Sequence, residues 1–105
     1  MIVADLHFAD RGVEALCSDE REATKKLGAP AAKKLRNRLK ELQSTTDPDI
    51  LKTGPGTWHD LHYDLDGHIA GKVSGGDRIV VRHTTDYATG RTVWCIVCIG
   101  DCYDH

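Results

Sequence analysis

Side chains capable of acid–base and anion chemistry are crowded into one half of this 105-residue chain. From Trp58 to His105 it reads WHDLHYDLDGHIAGKVSGGDRIVVRHTTDYATGRTVWCIVCIGDCYDH, with five of the six histidines, three of the four cysteines and both tryptophans. Imidazole titrates near neutrality and suits proton transfer. His59 and His62 stand three apart, so on a strand they point to opposite faces, which argues against a shared metal. Solvent-exposed histidines without a chemical role fit the same spacing. Further on, period two places Arg78, Val80 and Arg82 on one strand face and Ile79, Val81 and His83 on the other. Lys72 and Ala70 share a face of the preceding strand, so Lys72 can join the two arginines across a hairpin. Guanidinium forks and an ammonium gathered in this way suit a phosphodiester, binding its oxygens and stabilising charge as it develops. A solvated sheet face with cross-strand pairs to Asp77 or Asp86 is the competing reading.

Two further patterns need weighing. Cys95-x2-Cys98-x3-Cys102-x2-His105 has the counts of a zinc site. Its first pair lies inside a β-like run and not on a turn, and strict alternation would send the two thiols to opposite faces, so buried, inert cysteines are expected. Cys17 has no partner by spacing. Tyr103 and His105 directly follow the most apolar run, which anchors their backbone at the sheet edge. A phenol and an imidazole there suit acid, base or base-stacking roles, and a frayed terminus is the alternative.

Helices and strands must position these groups. Ile2 to Leu6 reads as a first strand. Asp10 can cap a helix over Gly12 to Cys17. Glu20 to Leu27 either continues that helix or forms a separate turn, and Gly28 breaks the pattern. Ala29-Pro30 opens the clearest helix, in which Ala32, Leu35, Leu39 and Leu42 form an apolar stripe at helical period. Lys33, Lys34, Arg36, Arg38 and Lys40 take up the remaining circumference. Ser44 to Pro48 ends it, with a possible single turn over Asp49 to Lys52. Then the period changes. Trp58 to Leu61 begins a strand, Asp64 to Gly67 is turn-like, and His68 to Ser74 pairs through Gly75-Gly76 with Arg78 to Thr84. Val93 to Ile99 reads as a central, doubly covered strand. Strand, helices, then mostly antiparallel strands predict one α+β domain over residues 1–105, in two layers with the helices on one sheet face.

Composition narrows the classes. Net charge is −2 and the pI about 6.3, so overall charge singles out neither nucleic acid nor membrane. The cations concentrate between Arg21 and Glu41. No run approaches 18 apolar residues, and no basic segment precedes an apolar one at the start, which predicts a cytoplasmic protein with reduced thiols and no membrane association.

In three places the chain resembles HigB-type toxins of the RelE/ParE superfamily, the toxin halves of type II toxin–antitoxin modules. The basic helix AAKKLRNRLKELQ precedes an acidic-Pro turn; His59 to Gly67 leads into Gly75-Gly76-Asp77-Arg78-Ile79-Val80; and the apolar strand ends in Ile99-Gly100-Asp101-Cys102-Tyr103-Asp104-His105. Where the family's motif has lysine and glycine, this chain has His62 and Tyr63, and the terminal Tyr-His pair is displaced: either Cys102-Tyr103 occupies its place or Tyr103-Asp104-His105 spreads it by one residue. The resemblance implies a RelE-like fold and a ribosome-dependent mRNA endoribonuclease. In that chemistry the 2′-OH attacks the adjacent phosphate without metal or cofactor, and a cognate antitoxin of helix-turn-helix type holds the toxin inactive. It further implies that Arg78 binds phosphate, with His59, Tyr103 and His105 in the catalytic set. Lys72, Arg82, His62 and the cations from Lys33 to Lys40 would then contact RNA, the helix facing the ribosome. ParE-like relatives that inhibit DNA gyrase by binding alone, or a degenerate toxin-fold interaction domain, are the alternatives.

Overall fold

The computed structural model describes residues 3–61 and 67–102. Strand β1 covers Asp5–Phe8, starting later than the apolar run suggested, because the Val3 and Ala4 amides both donate to the Gln43 carbonyl instead of a sheet partner. Asp10 caps α1, Arg11–Ser18, by accepting the Val13 amide at 2.8 Å. Asp19 repeats the device on the amides of Arg21 and Glu22, so α2, Glu20–Leu27, is a separate helix and no continuation. A carboxylate at either point satisfies amides that the helix itself leaves unpaired. Gly28, at φ 89°, turns the chain into α3, Ala29–Gln43, with Pro30 in its first turn. Asp47 then caps the short α4, Pro48–Lys52.

The strands are β2, His59–Asp60; β3, His68–Ser74; β4, Asp77–Thr85; and β5, Thr92–Gly100. They form one sheet in the order β1-β5-β4-β3-β2, antiparallel except for the parallel pair of β1 with β5. The helices cover one face. Leu35, Leu39 and Leu42 of α3 pack there with Ile69, Val73, Ile79, Val81, Trp94 and Ile96. A fully buried side chain of this kind contributes about 1.5–3 kcal/mol relative to an exposed one. This is the α+β, helices-on-one-face arrangement expected from the sequence.

Two aromatic anchors join the layers. Trp94 Nε1 donates to the Thr45 carbonyl at 3.0 Å, and His83, edge-on to that ring at 4.8 Å, contacts the Thr46 carbonyl through Nε2 at 3.0 Å. Together they hold the α3–α4 turn on the sheet. Trp58 Nε1 donates to Glu41 Oε1 at 2.8 Å, while its ring lies so close to Gly71 that a methyl there would sit 2.8 Å from a ring carbon.

Strand β5 departs from expectation on two counts. It is interior to the sheet, but helices cover only one of its faces: Trp94 and Ile96 are fully buried, whereas Cys95, Val97 and Cys98 are half-buried. It also carries a bulge. Val80 is in register with Cys98 and Val81 with Ile96, leaving Val97 as the extra residue. The inserted residue returns Cys98 to the face of Cys95, against the strict alternation that would have separated them. Among the described residues no helix is long and apolar enough to cross a membrane.

Candidate functional site

The sheet face away from the helices gathers the cations. Lys72 and Arg78 are directly opposite each other across the β3–β4 hairpin, and Arg82 stands opposite His68. Like charges placed opposite one another weaken a strand pair. None of Lys72, Arg78 and Arg82 forms an ion pair among the described residues, so the pairs to Asp77 or Asp86 of the competing reading do not form. Arg78 Nη1 instead donates to the Gly75 carbonyl at 3.0 Å and the Asp77 carbonyl at 2.9 Å. Those bonds tether the side chain to its own turn and occupy both Nη1 hydrogens. Among the described residues nothing takes the Nε and Nη2 donors, the edge that suits an incoming anion.

His59 reaches the same face from β2, in register with Ala70 and therefore in line with Val80 of β4. At an interstrand spacing of about 4.8 Å, its strand lies about 10 Å from that of Arg78. Its Nδ1 is 3.2 Å from the Thr57 carbonyl. A carbonyl only accepts, so Nδ1 carries a proton in this contact and Nε2 is the ring nitrogen left facing away from it. Thr57 has φ 53°, a conformation that a β-branched residue rarely adopts. The chain is held there by its neighbours: Trp58 is bound to Glu41, and the Gly56 carbonyl accepts the Lys72 amide at 2.9 Å. Beyond His59, Asp60 binds Lys52 Nζ at 2.9 Å, and that carboxylate raises the Lys52 pKa.

Helix α3 does not contribute to this face. Lys33, Lys34, Arg36 and Lys40 are exposed, and the buried stripe of the same helix faces the sheet, so these cations lie on the opposite side of the molecule. Arg36 is already paired with Glu20 at 3.1 Å. Arg38 is a correction to the sequence reading. It is 8% exposed, paired with Glu41 at 3.3 Å, and is no solvent-facing cation. At its place on α3 it falls beside the apolar stripe, where the Glu41–Trp58 contact needs a counter-charge.

The cysteines supply a second correction. Cys98 and Cys102 are joined by a disulfide, in place of the reduced pair expected, and Cys17 and Cys95 are free. Burial pushes the Cys17 thiol up to about 12, in keeping with an inert core thiol. His7, which the sequence reading left without a role, comes to the open face through the parallel register of β1 with β5, next to Cys95. No local pattern marks a parallel pairing between the two ends of a chain. His62, Tyr103 and His105 lie outside the described residues. The Cys102 sulfur is 3.6 Å from the Arg78 carbonyl.

No family model matches the chain, and no curated protein matches it in sequence. Among solved structures, a YoeB/ParE toxin from Agrobacterium tumefaciens is similar, with a TM-score of 0.65 at 14% identity over 91% of this chain and 95% of that one. At that identity the likeness establishes a shared fold: four helices and a five-stranded sheet arranged as in a toxin of that kind.

Proposed function

We propose that this protein is the toxin of a type II toxin–antitoxin pair and cleaves mRNA on the ribosome. The observation that carries the reading is the cation set Lys72, Arg78 and Arg82 on the open sheet face, which has no ion pair among the described residues, on a fold shared with a YoeB/ParE toxin. Arg78 offers its free guanidinium edge to the scissile phosphate, and Lys72 opposite it balances the charge that grows as the phosphorus becomes five-coordinate. The 2′-OH preceding the cleaved bond attacks that phosphorus. In this reading His59 takes its proton, and the departing 5′-oxygen receives one from an acid, the role given to His105 or Tyr103. The nucleophile belongs to the RNA, so the scheme calls for no metal or cofactor. Positioning and electrostatics do the work. On the far side, Lys33, Lys34 and Lys40 with Arg36 would meet ribosomal RNA through salt-sensitive contacts, while Arg38 has no part in them. A helix-turn-helix antitoxin would be the inhibitory partner, and the protein would act in the cytoplasm.

Primer extension on mRNA after induction tests the proposal. Cuts inside translated frames, lost or sharply reduced with Arg78→Ala, are expected. Growth arrest with intact mRNA would overturn the nuclease reading and favour inhibition of DNA gyrase by binding.

A further inference from the structure

We infer that Cys98 and Cys102 form a reversible thiol–disulfide site that fixes the chain against Arg78 at the edge of the open face. Three placements support this. The Val97 bulge brings Cys98 onto the open face, in register with Val80, when alternation alone would have turned it toward the helices. Gly100, at φ 110°, then reverses the chain, and the Cys102 amide donates to the Gly100 carbonyl at 3.0 Å. The turn sets Cys102 beside the Arg78 carbonyl at 3.6 Å and within bonding reach of Cys98, with a Cα–Cα separation of 5.9 Å. Only four positions separate the two sulfurs in sequence. Closing so short a loop removes little chain entropy, so the bridge adds little to global stability, and its consequence is local.

Both cysteines are half-buried at a surface that also displays Lys72 and Arg78, so the pair is open to small reagents, and anionic ones are drawn to it. The reactant is a low-molecular-weight acidic disulfide of the glutathione type. One thiolate attacks a sulfur of that disulfide and expels the first small thiol as its thiolate, which takes up a proton. The second cysteine then attacks the mixed disulfide and expels the other small thiol. Two protein thiols are oxidised, one small disulfide is reduced to two thiols, and excess small thiol reverses the sequence. Oxidised, the turn after β5 is tied to Cys98 with the Cys102 sulfur beside the Arg78 carbonyl; reduced, Gly100-Asp101 is released to move. Resting on the nuclease reading, this makes the redox state a control on the strand end that carries Arg78, the proposed phosphate binder.

The test uses the full chain in glutathione buffers of graded redox ratio, quenched by alkylation and mapped by mass spectrometry. The Thr92–His105 peptide is expected to pass between three alkylated cysteines and one, with Cys95 the residue that always reacts. Amide chemical shifts of Arg78 and Gly100 should move with that transition in the wild type and stay still in Cys102→Ser. A peptide that remains fully alkylated in every buffer, or a bridge that uses Cys95, would overturn the site. A bridge that cycles while the Arg78 amide stays fixed would overturn the control at Arg78. Messenger RNA cleavage assayed in both states separates the two proposals: cycling with no cleavage in either state removes the nuclease and leaves the redox site standing.

Discussion

Two cationic regions of this molecule carry similar charge and do different things with it. On α3 the positive side chains are set around a buried stripe, and two of them are already neutralised, Arg36 by Glu20 and Arg38 by Glu41. On the open sheet face Lys72, Arg78 and Arg82 have no acidic partner among the described residues, and Lys72 and Arg78 are directly opposed. A folding chain gains nothing from opposed cations. The difference separates positive charge that is tied into the structure from positive charge with no acidic partner among the described residues.

Mutations on the two faces should separate accordingly. Leu42→Ala, beneath α3, is expected to destabilise by about 2–5 kcal/mol in denaturant titration, through lost burial and the cavity left behind. Gly71→Ala drives a methyl into the Trp58 ring and is expected to cost about 1–3 kcal/mol in the same measurement. Within α3, Arg38→Ala strands the half-buried Glu41 carboxylate and should cost about 1–3 kcal/mol, whereas Lys33→Ala should fall within about 0.5 kcal/mol of wild type. Equal losses at the two positions would erase the distinction between structural and surface cations. Lys72→Ala should reverse the pattern, gaining about 0.2–1 kcal/mol by relieving the opposed charges while weakening binding of RNA oligonucleotides.

The smallest effect concerns pH. Arg91 binds the Asp5 carboxylate at 2.8 and 3.1 Å and holds its pKa below the ordinary value of 3.8. A carboxyl whose pKa is lower folded than unfolded contributes stability above the unfolded value and loses it as the pH falls through the folded one. Asp5→Asn should therefore lower the melting temperature slightly near neutrality, and the difference from wild type should shrink as the pH falls below about 4. The pair is half-exposed, so added salt should shrink the difference.

Much of this arrangement is legible in the chain. Asp10, Asp19 and Asp47 act on amides within three residues, so their caps can be read locally. The Leu35–Leu39–Leu42 stripe and the alternation that unites Arg78 with Arg82 depend only on backbone period. What escaped has a common cause. Arg38 matches the neighbouring lysines until Trp58, 20 positions later, places its indole over Glu41. Cys98 follows the alternation until one extra residue, Val97, shifts the β5 register against β4.

Period and capping, which act within a few residues, thus determined the helices, the hairpin and the shared face of Lys72, Arg78 and Arg82. Tertiary structure decided which cations find acids, which cysteines meet and that His7 joins the open face, because each depends on a partner supplied by another element. A side chain's role follows from its neighbours, and neighbours distant in sequence are chosen only when the layers pack.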